Sequence, residues 1–158
     1  MAAGGWKIFA RSKRHMCSTA GALHLDGVFK MCLCRASASA GLLKITNTGI
    51  STWASVPSAT EISALGGYVA GGRSIPAIKW TVGASTKQMK FSFTTAGLTF
   101  TASGANLNNI KYAVIRNSTG AGVGKVLAFC TLSTAAFSIS SPNTLTILPA
   151  ATGIFVLA

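Results

Sequence analysis

Negative charge is almost missing from this chain: Asp26 and Glu61 are its two acids in 158 residues, against fourteen Lys and Arg, for a formal charge of +12. Paired carboxylates are therefore excluded, and with them the usual groups of most hydrolytic and metal-assisted mechanisms. Most cations also lack an acid of their own chain to meet. Acidic groups must come from another molecule, and three classes qualify: nucleic acid, an anionic membrane or an acidic protein lattice.

Long apolar runs are missing too. A membrane helix needs roughly 18 consecutive apolar residues, and the closest candidate, 147–158, is short and interrupted by Pro149 and Gly153. No membrane partner is expected. The N-terminus has no compact apolar core of a secretory signal. Residues 1–25, basic but for Asp26 just beyond them, share the composition of a transit peptide, yet are expected to stay in the mature protein. Charge of either sign stops after Lys125. Soluble surfaces normally carry charges along so long a stretch, so part of 126–158 is expected to be covered by neighbouring subunits.

The four cysteines, Cys17, Cys32, Cys34 and Cys130, lack the paired CxxC spacing of a zinc ribbon and are too few for a disulfide scaffold. Cys32 and Cys34 share one face of an expected strand, where a bond between them is geometrically poor. Three readings follow: small buried hydrophobes, cross-subunit disulfides, or a metal site with His15 or His24. The ligand pattern is too loose to assign a metal, and no cofactor is expected. A Ser or Cys nucleophile would need His15 or His24 as base and Asp26 as orienter. Asp26 follows His24 too closely for that geometry, and no G-x-S-x-G elbow is present. The chain is not expected to be an enzyme.

Two glycine-rich runs resemble phosphate loops without matching them. GAGVGK, 120–125, lacks the G-x-x-x-x-G-K-[ST] spacing and reads as a hairpin connection. GGYVAGG, 66–72, lacks G-x-G-x-x-G and reads as a turn or close backbone packing.

What is present is period-two alternation. Residues 23–35 alternate Val28, Lys30, Cys32 and Cys34 against Phe29, Met31, Leu33 and Arg35. Further strands are expected at 42–47, 74–82, 87–94, 98–102, 110–117, 125–132, 144–148 and 154–157, bounded by Gly, Asn and Ser turn signals. Residues 36–60 read as a long loop with at most two weak strands. A short helix is expected over 6–19, with Trp6, Phe9, the Lys13 stem, Met16 and Ala20 as its apolar stripe. Short strands at this spacing, without intervening helices, predict an all-β fold: an antiparallel β-sandwich or jelly-roll-like domain with a short N-terminal helix. The expected organisation is a basic helix or arm over 1–22 and a single sandwich domain over 23–158.

The candidate partner-binding basic surface comprises Lys7, Arg11, Lys13, Arg14, Lys44 and Arg73. It is either a solvated face or an anion-contacting one. Nucleic acid remains possible, because Trp6, Phe9, Trp80, Phe91, Phe93 and Tyr112 lie near cations and could stack bases. Their alternation favours core packing instead.

Three blocks of the chain resemble a class of small structural proteins of tailed bacteriophages. WKIFARSKRHMCSTAGALHLDGVFKMCLCRAS resembles the short helix and "L-x-L-D-x-x-F-K-x-x-L" strand of that class through Leu23, Leu25, Asp26, Phe29, Lys30 and Leu33. EISALGGYVAGGRSI resembles a "G-Y-x-x-G-G-x-x-L" turn through Gly67, Tyr68, Gly71, Gly72 and Ile75. KYAVIRNSTG resembles a "Y-A-V-I-Y" strand through Tyr112, Ala113, Val114 and Ile115, and the chain closes with GIFVLA. Members of the class carry more acids, and aliphatics where Cys32 and Cys34 stand here.

The resemblance implies a virion protein, assembled in the host cytoplasm, whose partners are the major capsid protein or connector proteins and further copies of itself. The role it implies first is a capsid decoration, or cement, protein. A neck, connector or tail component is the alternative, and a basic nucleic-acid-binding β module is a third. Release into an oxidising exterior would let cross-subunit disulfides lock such a shell.

Overall fold

In the computed structural model, residues 5–16, 27–35, 52–56, 60–82, 89–119, 124–149 and 153–157 are described. The organising strand is β7 (Leu107–Asn117), in which Ala113 and Ile115 face one side while Tyr112, Val114 and Arg116 face the other. Around it lie β1 (Lys7–Ile8), β2 (Phe29–Arg35), β3 (Arg73–Ser74), β8 (Val126–Thr131) and β9 (Phe137–Ile139). The large sheet runs β1-β8-β7-β2-β3, with β9 pairing the start of β7, and its pairings are antiparallel.

Two smaller antiparallel sheets accompany it. One joins β6 (Leu98–Thr101) to β10 (Thr144–Ile147); the other orders β11 (Phe155–Leu157), β5 (Met89–Ser92) and β4 (Lys79–Val82). Phe91, Phe93, Leu98, Phe100, Ile147 and Ile154 from this layer share a core with Phe29, Met31, Leu33, Ala113, Ile115 and Leu127 of the large sheet. Phe29 and Phe91 meet edge to face at 5.6 Å between ring centroids, a favoured aromatic geometry. The fold is an all-β antiparallel sandwich with one short helix.

The large sheet is covered on its other face as well. Helix α1 (Ala10–Met16) and a 3-10 turn at Trp53–Ser55 lie there, and Phe9, Val56 and Trp53 pack with Cys34, Tyr112, Val114, Val126 and Phe129. Strands covered on both faces lose polar alternation. That explains why Val126–Cys130 in β8 is buried without a break, and why its lack of charge needs no neighbouring subunit: β1 and β7 flank it within the chain.

The structure departs from the sequence reading at several points. The expected strand 74–82 is two strands, because Pro76 has no N–H to give a ladder and Ala77 adopts a positive φ of 47°. β1 and β9 were not expected; at two and three residues they carry too little alternation to read. The helix starts at Ala10 rather than Trp6, since Lys7–Ile8 pair with Phe129 and Ala128 of β8. This pairing makes the arm an edge of the sandwich. The helix also turns differently: Ser12, not the Lys13 stem, is buried, and its Oγ donates to the Val126 carbonyl. Phe9 sets that phase, its carbonyl accepting from Ser12 N at 3.0 Å. The expected strand 42–47, the boundary at residue 22 and most of the loop 36–60 lie outside the described residues. Most of GAGVGK also lies outside the described residues; the strands before and after it, β7 and β8, pair antiparallel.

Candidate functional site

The proposed basic surface divides between the two edges of the large sheet. Lys7 on β1 and Arg11 and Lys13 on α1 are exposed together at one edge, where α1 packs against β8. Arg73 is exposed on β3, the opposite edge, four strand steps away in the order β1-β8-β7-β2-β3. At about 4.8 Å per step the edges lie about 19 Å apart. The side chain of Arg14, and Lys44, lie outside the described residues.

Beside the β3 edge, Glu61 and Arg116 are held in a network. Glu61 bridges backbone-to-backbone with Cys34, which brings its carboxylate over the face of β2. Oε1 accepts from the Tyr68 hydroxyl at 2.6 Å and from Gly71 N at 2.8 Å. The Tyr68 oxygen in turn accepts from Leu33 N at 3.1 Å. Burial, reinforced by Cys32 and by Glu61 itself, holds the phenol protonated far above the ordinary tyrosine range. Arg116 donates Nε and Nη2 to the Gly71 carbonyl at 3.1 and 2.8 Å, and lies 5.5 Å from the centroid of the Trp53 ring. One carboxylate and one guanidinium thus fasten both polar atoms of a single peptide residue, Gly71. Composition alone does not assign Glu61 a role, although one of only two acids in so basic a chain is itself a signal.

Glycine makes the approach possible. Gly72 has φ of 83°, and a Cβ there would stand 2.4 Å from the Met31 carbonyl oxygen, a combination that an L side chain does not tolerate. The run GGYVAGG is a closely packed turn against β2.

The cysteines sit inside. Cys32, Cys34 and Cys130 are thiols outside any disulfide, with 0%, 0% and 2% exposure. Burial pushes Cys32 up to about 12, Glu61 adding to the effect, and pushes Cys130 up to about 11. Cys34 is raised well above its ordinary value by burial first and by Cys32 next. Cross-subunit disulfides from these three would need sulfurs that are buried here to reach a neighbour's. Cys17 lies outside the described residues. Among the described residues no group of three or more His, Cys, Asp or Glu is placed to hold a metal ion, and no helix is long and apolar enough to cross a membrane.

The aromatics near the cations are core. Phe9, Phe91, Phe93 and Tyr112 are buried, and Trp6 and Trp80 pack against the main cluster half-buried. The outer face of β6 and β10, by contrast, is neutral and polar: Thr144 pairs Thr101, Thr146 pairs Thr99, and the last two hydroxyls lie 2.9 Å apart. Beside it opens a cleft of about 360 Å³ between the glycine turn and β6, walled by Tyr68, Val69, Phe100 and Leu107, with Arg73 in its lining. No protein-family model, curated protein or solved structure matches this chain.

Proposed function

We propose that this chain is a virion structural protein, a capsid decoration protein that docks on an acidic head lattice. The observation that carries the reading is the split of the surface. Exposed cations stand at the β1 and β3 edges, while the outer face of β6 and β10 carries threonines and no charge. Cationic rims steer association with an acidic partner, and charge-poor patches suit the centre of a contact between proteins. Within the chain, the lack of charge after Lys125 now divides in two: β8 is its own core, and the exposed residues of 134–148, which alternate with buried Ile139 and Ile147, are the candidate contact with neighbouring copies. The capsid protein is the main partner in this reading, with no catalysis and no cofactor.

Co-sedimentation of the purified chain with empty phage heads, and separately its binding to duplex DNA, tests the proposal across a salt series. Docking with a large neutral component survives rising salt, whereas phosphate binding falls steeply. Retention on heads in high salt is the expected result. Tight, salt-sensitive DNA binding without retention on heads would overturn the proposal in favour of a nucleic-acid module.

A further inference from the structure

The cleft beside the glycine turn is not used by any contact so far described. Its volume of about 360 Å³ lies within the range of pockets that hold ligands. Its deep walls, Tyr68, Phe100 and Leu107, are buried apolar surface, and Val69 at 72% exposure forms the lip. Arg73 adds one cation. Among the described residues its guanidinium donates one hydrogen bond, from Nη1 to the Thr99 carbonyl, out of the five donors that an arginine offers. The nearest described carboxylate along the chain, Glu61, is already held by Tyr68 and Gly71. Among the described residues, the cleft therefore presents a cation with no carboxylate paired to it.

Backbone geometry adds a third element. Ile75 N donates to the Phe29 carbonyl at 2.8 Å, and the register sets Ser74 opposite Lys30 and Arg73 opposite Met31. Bonded and non-bonded pairs alternate along an antiparallel ladder, so the N–H and C=O of Ser74 point away from β2. No described strand lies beyond β3 in the sheet. A backbone donor and acceptor thus face outward next to the guanidinium and the apolar walls.

We propose that this cleft and the β3 edge form a docking site for an extended, acidic and apolar segment of a partner protein. One aliphatic or aromatic side chain fills the apolar cleft. An Asp or Glu two residues away projects to the same side of the strand and pairs with the Arg73 guanidinium, and the segment's backbone bonds to Ser74. Strand addition of this kind takes affinity from the main chain and specificity from the pocket, and the Arg–carboxylate contact adds a charge-assisted, two-point bond. The proposal rests on the lattice reading for who supplies the segment; its chemistry is independent of that reading.

Calorimetric or NMR titration of the full chain with the blocked peptide acetyl-Phe-Thr-Glu-Val-amide is the test. Its counterparts carry Gln for Glu or Ala for Phe. The Glu peptide is expected to bind at least tenfold tighter than either. Arg73→Gln should erase the difference between Glu and Gln, and Val69→Asp, placing a negative charge on the lip, should weaken the Glu peptide by a similar factor. Both side chains are exposed, so an unchanged urea midpoint certifies the fold. No binding at millimolar peptide, equal binding of Glu and Gln peptides, or phenylacetate binding as tightly as the peptide would overturn the proposal. Head docking that ignores both substitutions would also overturn it while leaving the lattice reading standing. Peptide binding without head docking would sustain the site and remove the lattice.

Discussion

Arg116 on the central strand and the lysines beside the β1 edge carry the same kind of charge and use it differently. At the β3 side, Arg116 is bound to the Gly71 carbonyl and covered by Trp53, and Glu61 holds Tyr68 and Gly71. At the β1 side, Lys7 and Lys13 are exposed, and their ammonium groups have no partner among the described residues. Charge near an acid or a buried carbonyl is part of the fold. Charge without either is available to another molecule, and net charge by itself does not tell the two apart.

Substitutions can break this contrast, and the largest effect is expected in the fastened network around Gly71 and Gly72. Gly72→Ala places a Cβ 2.4 Å from the Met31 carbonyl oxygen at a φ of 83°. Backbone strain and steric displacement together should cost about 3 kcal/mol, read as a lower urea midpoint. Glu61→Ala strands the Tyr68 hydroxyl and the Gly71 N–H, and loss of hydrogen bonds to a charged group should cost about 2 kcal/mol. An unchanged midpoint for Glu61→Ala would show that the network is ornament.

Alkaline pH probes the buried thiols on both faces of the large sheet. Burial makes the folded thiols of Cys32, Cys34 and Cys130 ionise above the ordinary cysteine value of 9.0, Cys32 only near about 12. A raised folded pKa gives stability that is complete below the unfolded value and is lost as pH rises toward the folded one. Stability should therefore fall from about pH 9 toward pH 12, by up to about 1.4 kcal/mol per pH unit for each thiol. Cys130→Ala should make that alkaline decline shallower in pH-dependent urea unfolding.

Smaller effects sharpen the comparison. Arg116→Lys keeps the charge but gives up the two-pronged contact with Gly71, at about 1 kcal/mol. The double substitution Lys7→Gln and Lys13→Gln at the other edge should move stability by less than about 0.5 kcal/mol, while slowing association with heads at low salt. If the lysine pair proves as costly to the fold as Arg116, the distinction between fastened and available charge is wrong.

The central strands were legible in the sequence because β2, β7 and β8 carry enough apolar residues to declare themselves. The shared face of Cys32 and Cys34 followed from period two. The breadth of the basic surface did not follow, because which edge receives Lys7 and which receives Arg73 depends on pairings between distant segments. The Ser12 phase was hidden for a related reason: a buried serine looks polar until the Val126 carbonyl that it satisfies is known. Glu61 is visible in the sequence, but its role is not, because its partners Tyr68 and Gly71 read there as parts of a turn.

The most direct measurement of the central claim is the number of copies of this chain in purified phage particles, by quantitative mass spectrometry against the major capsid protein. Symmetry ties copy number to location. Decoration of a head lattice predicts hundreds of copies per particle, and a count of about a dozen or fewer, or none, would contradict it.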